Sequence, residues 1–259
     1  MKYIILIFIS LFISSCCVCE DDYMLRCEGL SESIEYNPET INRKVLVIGI
    51  DGIRSDAMQD SISPFLFDLS LQENTYFTNS HMTERITYSG PNWSSLLTGV
   101  HMSKHNVLEN EFLNPNFDEY PSFFYYLENI EEPINTVSIV NWLPIHTHIL
   151  SNVVDHAPSE SISDLEVFNS CKEILLNNNP VEGDVIFLHF DELDGAGHSY
   201  GFSADVEEYR TTLTTIDGYT EGLFNIIESY HKKELWKVCL DGVINYLKNN
   251  KYDGSLFSE

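Results

Sequence analysis

Three short runs of mostly apolar residues stand out along the chain, at positions 45–50, 137–140 and 185–190. They are rich in Val, Ile and Phe and do not alternate between apolar and polar residues, which is typical of strands buried on both faces of a parallel sheet. The first run ends at Asp51-Gly52, and the last runs straight into an acidic stretch. The pattern predicts three central strands.

Helical patterns separate the predicted strands. Ser63-Pro64 is a typical helix start, and apolar residues recur at helical spacing over 121–130, 164–176 and 203–229. Strands that alternate with helices predict an α/β fold, with a mostly parallel central sheet covered by helices on both faces. In such folds ligands bind beyond the carboxyl ends of the strands. Asp51 and the segment 191–198 are both expected at that edge.

The stretch FDELDGAGHSYG, residues 190–201, combines three carboxylates, three glycines and one histidine. Its glycine content predicts a turn rather than a helix. Asp194 and His198 are ligand types suited to zinc, and a glycine-rich turn can bring both side chains to one point. A solvated acidic loop is the alternative interpretation of this stretch taken alone.

The segment ITYSGPNWSSLLTGVHMSKH offers a hydroxyl close to a helix start. Residues 89–92 predict a tight turn, and 93–98 a short helix that ends at Gly99. Ser89 would then lie ahead of a helix N-terminus, where the field favours a bound phosphate. A serine in that position is also a common N-cap with no further role.

The N-terminal residues predict a leader over 1–19. Lys2 precedes an apolar stretch, 4–13, which is shorter than a membrane-spanning helix requires, so a secretory signal peptide fits best. Lipidation of Cys16 and an uncleaved anchor are the alternatives, and these are the only routes to a membrane. Residues 20–43 are expected to form a polar linker and 44–259 the folded domain, which places the protein outside the cytoplasm or at the cell surface.

The charge balance narrows the class of ligand. The chain has 14 Lys and Arg against 40 Asp and Glu, a formal net charge of -26. Such a surface repels polyanions, and no basic stripe with interleaved aromatic residues is present, so binding to a nucleic-acid duplex is not expected. An anionic substrate would need a local source of positive charge, and a bound metal ion is one such source.

Cysteine spacing gives no metal-binding motif. Three of the 6 cysteines lie in the leader, and Cys27, Cys171 and Cys239 remain. In a secreted protein one disulfide with one thiol left over is expected, and the sequence does not say which two residues pair.

Taken in order, Asp51, Ser89, Asp194 and His198 resemble the metal-site and nucleophile motifs of the alkaline phosphatase superfamily. The similarity is greatest to its type I phosphodiesterase/nucleotide pyrophosphatase branch, and it extends over about residues 45–230. The resemblance implies an alkaline-phosphatase-like fold and hydrolysis of a small-molecule phosphoester. It also implies two divalent metal ions, most commonly zinc.

The resemblance also implies a role for each matching residue. Asp51 and Ser89 would bind one metal ion, and Asp194 and His198 the other. Ser89 would be the nucleophile that forms a covalent phosphoserine, and Asn110 would contact a phosphoryl oxygen of the substrate.

The family completes its metal sites with a later Asp-His pair and one further histidine. No Asp-His pair suited to this role follows His198. Residues 235–240 would occupy the strand that precedes the pair in the family, but Asp241-Gly242 follows without a histidine. The only later histidine, His231, lies before that strand in a polar segment, where a solvated side chain is expected. The resemblance therefore predicts a C-terminally incomplete domain with weak zinc binding and low turnover. A catalytically impaired or truncated relative that serves as an extracellular binding or interaction protein is the alternative function.

Overall fold

The computed structural model describes residues 5–6, 44–78, 83–130, 134–151, 153–178, 181–230 and 236–243. Within them it has six strands and seven α-helices, together with a 3-10 turn at Ser55–Ala57 and a π-helical turn at Ile145–Leu150. The strands are β1 (Ile5–Leu6), β2 (Lys44–Asp51), β3 (Thr75–Tyr76), β4 (Thr136–Val140), β5 (Val185–Phe190) and β6 (Trp236–Val243). The helices are α1 (Pro64–Ser70), α2 (Ser89–Thr98), α3 (Met102–His105), α4 (Phe123–Glu128), α5 (Asp164–Leu175), α6 (Glu192–Tyr200) and α7 (Glu207–Tyr230).

The central sheet has the strand order β4-β5-β2-β6, and every neighbouring pair is parallel. The three strands predicted from apolar runs are confirmed as β2, β4 and β5. The strand that the resemblance implies over 235–240 is β6, which pairs with β2 so that Asp241 lies opposite Gly49. All four carboxyl ends therefore point to one edge of the sheet.

The two faces of the sheet are covered by separate apolar clusters. Leu46, Ile48 and Ile50 of β2 pack in the larger cluster, which includes side chains from α1, α5, α6 and α7. Phe187 of β5 packs in the smaller cluster with Trp93 of α2, together with side chains from α4 and the π-helical turn. Because side chains alternate along a strand, β2, β4 and β5 each contribute to both clusters. The predicted α/β fold with helices on both faces is confirmed.

Within the stretch 190–201, residues 192–200 form a helix, so the predicted glycine-rich turn was wrong. Helix α6 begins after Asp191. At its start, the backbone N–H groups of Asp191 and Glu192 donate to the Asp164 carboxylate at 2.9 Å and 3.0 Å. Leu193 is fully buried beneath the helix. This capping and burial offset the cost of helical glycine, which is about 1 kcal/mol each.

Two other helices also differ from expectation in their bounds. Helix α2 begins at Ser89, so the predicted turn over 89–92 is the first turn of that helix, and it ends at Gly99 with a left-handed φ of 70° as predicted. Helix α7 continues through Gly218 and Gly222, because Leu213, Ile216 and Leu223 bury one continuous stripe of it.

Most of the predicted leader and the whole predicted linker, residues 20–43, lie outside the described residues. Of the leader only Ile5–Leu6 is described, as a strand parallel to β3. Over the described part of the chain, no helix combines the length and apolarity needed to cross a membrane. Cys171 is a buried free thiol in α5.

Candidate functional site at the carboxyl edge of the sheet

The strand face that packs against α2 changes from apolar to polar toward the carboxyl edge. On β5 the residues of this face run from Phe187 through His189 to Asp191, and on β2 they run from Gly49 to Asp51. Parallel pairing of β2 with β5 in this register brings the polar ends together. Asp51 and His189 are completely buried, and Asp191 is partly exposed.

The ligand atoms of Asp51, His189 and Asp191 all lie within 4.8 Å of one another. His189 Nε2 is 3.7 Å from Asp51 Oδ2 and 4.0 Å from Asp191 Oδ1. Neither ring nitrogen of His189 makes a hydrogen bond within the described structure, and the same is true of Asp51 Oδ1. Buried polar atoms nearly always have a partner. Two carboxylate oxygens and an imidazole nitrogen at these separations suit a divalent metal ion, so the residues present fit such a group.

Trp93 holds the Asp51 carboxylate from the α2 side. Its Nε1–H donates to Asp51 Oδ2 at 2.9 Å, and its ring meets the His189 ring edge to face with centroids 4.7 Å apart. The indole lies directly over Gly49, where an added Cβ would be 2.4 Å from its Cη2 atom. Gly49 is therefore required for Trp93 to reach the site.

Ser89 is the first residue of α2 and is partly buried. Trp93 follows it by four residues, about one helical turn, so the two side chains leave the same face of α2. The Ser89 hydroxyl thus belongs to the helix whose Trp93 side chain donates a hydrogen bond to Asp51. The structure brings the predicted nucleophile and the predicted ligand to neighbouring elements at the carboxyl edge.

Asn110 also meets the start of α2. Its Oδ1 accepts a hydrogen bond from the Gly90 N–H at 2.8 Å, and the residue is exposed. With Oδ1 engaged, the groups that remain for a ligand are the Nδ2 donors. Donors of that kind are what a phosphoryl oxygen requires.

Asp194 and His198 lie one turn apart on α6, which places both on one face. Their Oδ2 and Nε2 atoms are 3.2 Å apart, with side-chain exposures of 13% and 53%. Asp194 packs against the turn after β2, where a Cβ on Gly52 would be 2.6 Å from the Asp194 Cα. Gly52 also has a left-handed φ of 73°. The close approach places the pair beside the end of β2, and therefore near Asp51.

Two helix starts bind one another beside the site. The Asp164 carboxylate accepts from the backbone of Asp191 and Glu192, while Glu192 Oε1 accepts from the Asp164 N–H at 3.2 Å. Asn141 Nδ2 donates to Asp164 Oδ1 at 2.8 Å. Burial raises the pKa of Asp164, and these hydrogen bonds oppose that rise. These reciprocal hydrogen bonds hold the start of α6 against the start of α5.

The pKa of Asp191 reflects the burial and the negative charge of the site. Burial raises its pKa to about 6, and the charges of Asp51, Asp164 and Glu192 add to that rise while His189 opposes it. A site with this much converging negative charge favours a bound cation.

The turn after β2 is fixed from α7. Tyr209 Oη–H donates to the Gly52 carbonyl at 2.7 Å and accepts from the Arg54 N–H at 3.0 Å. Burial raises the pKa of Tyr209, so the phenol stays protonated and can do both. The turn that follows Asp51 is thereby held in one conformation.

A second polar network lies behind α2. The Val107 N–H donates to His105 Nδ1 at 3.1 Å, so Nε2 carries the ring proton, and it lies 2.8 Å from Ser95 Oγ. Ser95 in turn donates to Glu84 Oε1 at 2.7 Å. Burial lowers the pKa of His105 to about 4. The protons all point toward Glu84, which makes this a structural network rather than a nucleophile with a base.

His146 and the Asp155-His156 pair lie outside the site. His146 is buried and lies within hydrogen-bonding distance of Ser138 and the Pro158 carbonyl, at 2.8 Å and 3.0 Å. Asp155 accepts from the Thr136 N–H, and His156 forms a backbone bridge with Val137. These contacts give His146 and the Asp155-His156 pair structural roles.

Sequence reasoning missed His189, because it sits inside an otherwise apolar run. A signal was available in the spacing. Residues two apart on a strand share a face, so His189 had to face the same way as Asp191 once β5 was predicted.

The sequence pattern of the family described as "Type I phosphodiesterase / nucleotide pyrophosphatase" matches residues 45–236. A curated relative, bis(5'-adenosyl)-triphosphatase ENPP4 of Bos taurus, is 25% identical over 219 residues, which is 75% of this chain and 46% of the relative. The human protein of the same name is 25% identical over 193 residues, 67% of this chain and 41% of the relative. The chain spans less than half the length of these curated relatives.

Among solved structures, murine ectonucleotide pyrophosphatase/phosphodiesterase 5 (ENPP5) superposes with a TM-score of 0.59 at 19% identity. The match covers 76% of this chain and 55% of that one. An inactive variant of the same murine protein, in complex with AMP, gives a TM-score of 0.56. These similarities establish that the fold is shared.

Proposed function

The chain belongs to the type I phosphodiesterase / nucleotide pyrophosphatase family, and on that basis we propose that it hydrolyses phosphoric esters with Ser89 as the nucleophile. The observation that supports this most is the common placement of Ser89 and Asp51. Trp93, one turn after Ser89, donates directly to the Asp51 carboxylate. A hydroxyl and a buried anion are thus held together by one rigid helix.

Ser89 would act by covalent catalysis. Its oxygen attacks the phosphorus, the bond from phosphorus to the leaving oxygen breaks, and the leaving group takes up a proton. Water then attacks the phosphoserine, which releases the phosphate product and regenerates the hydroxyl. The Nδ2 donors of Asn110 would hold a phosphoryl oxygen during both steps, because its Oδ1 is occupied by Gly90.

Divalent metal ions, with zinc as the proposed species, would supply the positive charge that this acidic chain lacks and would lower the pKa of the attacking hydroxyl. We assign Asp51 and Ser89 as ligands of one ion and Asp194 and His198 as ligands of the second. Trp93 orients Asp51, and the docking of α6 against Gly52 positions Asp194. Support for this assignment is the burial of Asp51 and the 3.2 Å separation within the Asp194–His198 pair.

The proposed substrate is a small nucleotide-type phosphodiester or pyrophosphate. Support comes from the bis(5'-adenosyl)-triphosphatase activity for which the ENPP4 relatives are named, and from the AMP complex of the murine fold relative. The net charge of -26 disfavours a long polyanion such as a nucleic-acid duplex. The leader motif over 1–19 supports an extracytoplasmic or cell-surface location, with a membrane reached only through that leader or its lipidation.

A second candidate is a binding protein that retains the fold and holds a phosphoester without turnover. It is favoured by the Asp194–His198 pair, which provides two ligands where catalytic zinc commonly has three from the protein.

Hydrolysis of bis(4-nitrophenyl) phosphate by the full chain, with and without zinc, tests the proposal. We expect slow zinc-dependent release of nitrophenolate that Ser89→Ala reduces by about 1,000-fold or more. Ser103→Ala, which removes an exposed hydroxyl on α3, is the matched control and should leave the rate unchanged. Zinc bound without any turnover would instead establish the second candidate.

A further inference from the structure

His189 is a buried histidine without a hydrogen bond. Its side chain is fully enclosed, and neither ring nitrogen has a donor or acceptor partner in the described structure. By contrast, both ring nitrogens of His105 and His146, which are also buried, lie within hydrogen-bonding distance of named partners. Leaving a polar group buried and unpaired lowers the stability of the folded state. The position therefore indicates a ligand rather than a packing role.

The environment of His189 is anionic. Asp51 lies on one side and Asp191 on the other, with carboxylate oxygens 3.7 Å and 4.0 Å from Nε2. Asp51 keeps Oδ1 free of hydrogen bonds although that atom is buried. Two carboxylate groups thus converge on this buried imidazole, and a single divalent cation placed between them would neutralise their charge.

We propose that Asp51, His189 and Asp191 together bind one divalent transition-metal ion, of the zinc class, with His189 as a nitrogen ligand. An imidazole with two carboxylates favours such an ion over magnesium or calcium, which prefer all-oxygen ligands. Ligands about 2.0–2.1 Å from zinc in a tetrahedron lie roughly 3.3 Å apart. Small side-chain movements would shorten the observed separations of 3.7 Å and 4.0 Å to that value.

A protonated imidazole would be the competing source of positive charge. The observed geometry disfavours it, because both carboxylate distances exceed the range of N–H···O hydrogen bonds, about 2.7–3.2 Å. An imidazolium would also bury a second N–H donor, on Nδ1, with no acceptor. A metal ion requires only the lone pair of one nitrogen.

Trp93 and the helix cap support this arrangement from outside. The indole N–H donates to Asp51 Oδ2, and the backbone of Asp191 is fixed by the Asp164 carboxylate. Partners of this kind orient metal ligands and sharpen affinity. Because Asp51 is shared with the proposed hydrolase centre, the role of this ion in turnover rests on the proposed function, whereas its binding does not.

Metal binding by the full chain provides the test. The protein is stripped with a chelator and titrated with zinc against a chromophoric competitor, as the wild type and as His189→Gln. We expect His189→Gln to raise the zinc Kd at this site by at least roughly tenfold. His146→Gln is the matched control, a buried histidine outside the site, and should leave zinc affinity unchanged.

A second measurement covers the case in which His189→Gln does not fold. X-ray absorption at the zinc edge is recorded on the His198→Gln variant, which removes the exposed imidazole of α6. An imidazole signal that persists there supports His189 as a ligand, and its absence overturns the proposal. Equal zinc affinity in folded His189→Gln and wild type would also overturn it.

The two proposals fail separately. Ser89-dependent hydrolysis in a protein whose zinc does not involve His189 would leave the function standing and remove this site. Zinc bound through His189 without hydrolysis would do the reverse.

Discussion

Two fully buried histidines, His105 and His189, show how differently one residue type can be used. His105 is satisfied at both ring nitrogens and belongs to a closed network with Ser95 and Glu84. His189 has carboxylates on two sides and no hydrogen bond. The sequence could not separate them, because the distinction depends on side chains brought together from remote segments. Asp51 and Ser89 could be singled out from the sequence because each stands at a local signal. Asp51 stands at a strand end and Ser89 at a helix start.

The pKa of His105 makes stability depend on pH. Its folded pKa of about 4 lies below the ordinary value of 6.5, so between those values the unfolded chain binds a proton that the folded protein does not. Stability is therefore complete above pH 6.5 and is lost as the pH falls toward 4. From pH 7 to pH 5 this group should remove about 2 kcal/mol of unfolding free energy.

Urea unfolding at both pH values checks this for the wild type and His105→Gln. The variant should be less stable at pH 7 but should lose about 2 kcal/mol less than the wild type on acidification. Parallel pH dependence in the two proteins would show that His105 titrates normally.

Gly49 should tolerate no side chain. A Cβ there would lie 2.4 Å from Trp93, so Gly49→Ala must displace the indole that bonds Asp51. We expect a loss of about 1–3 kcal/mol in unfolding free energy and weaker metal binding. Gly218→Ala is the control, because a Cβ there meets no atom within 4 Å. In the interior of α7 that change should stabilise the protein by up to about 1 kcal/mol. Equal stability of the two variants would contradict the packing argument.

At the scale of elements, the apolar runs predicted their strands correctly, whereas the glycine-rich polar stretch 190–201 did not predict its helix. Strands β2, β4 and β5 follow from their apolar runs, since burial on both faces leaves little choice of residue. Helix α6 forms although its glycines predict a turn, because the carboxylate that caps it belongs to Asp164, 28 residues before Glu192. A cap supplied from so far away leaves no local trace. The same contact explains why Asp194 and His198 share a helical face.

Asp164 should therefore control α6 more than its own helix. Asp164→Ala removes the acceptor of two backbone N–H groups and of Asn141 Nδ2, and should cost about 1–3 kcal/mol. Hydrogen exchange of residues 192–200 should accelerate. Glu166→Ala, which breaks only the capping box with Ser163 at the start of α5, should cost about 1 kcal/mol and leave exchange in α6 unchanged. Equal exchange in the two variants would show that α6 is held by other contacts.

At the scale of the whole molecule, the sheet gathers negative charge at one edge of an already acidic protein. Asp51 ends β2, whereas Asp191 and Asp194 follow β5, and the register of β2 with β5 brings the two segments together. The overall charge was readable from composition and predicted that a nucleic-acid duplex is not a partner. The convergence at this edge was predicted only for the residues that stand at strand ends, because the composition says nothing about where charges meet.

Self-repulsion at a net charge of -26 should make stability depend on salt. Repulsion between surface carboxylates is screened over about 30 Å at 0.01 M salt and about 8 Å at 0.15 M. Because compaction brings these charges closer, added NaCl should favour the folded state more than the unfolded chain. We expect the urea midpoint of metal-free protein to rise steadily from 0.01 M to 0.3 M NaCl. Urea is required here since guanidinium is itself a salt. A midpoint that is flat or falls over this range would mean that local ion pairs outweigh the repulsion.

A few micromolar zinc should stabilise the protein at every salt concentration. The increment should shrink little with salt, because the charges that converge on Asp51 are buried and poorly screened.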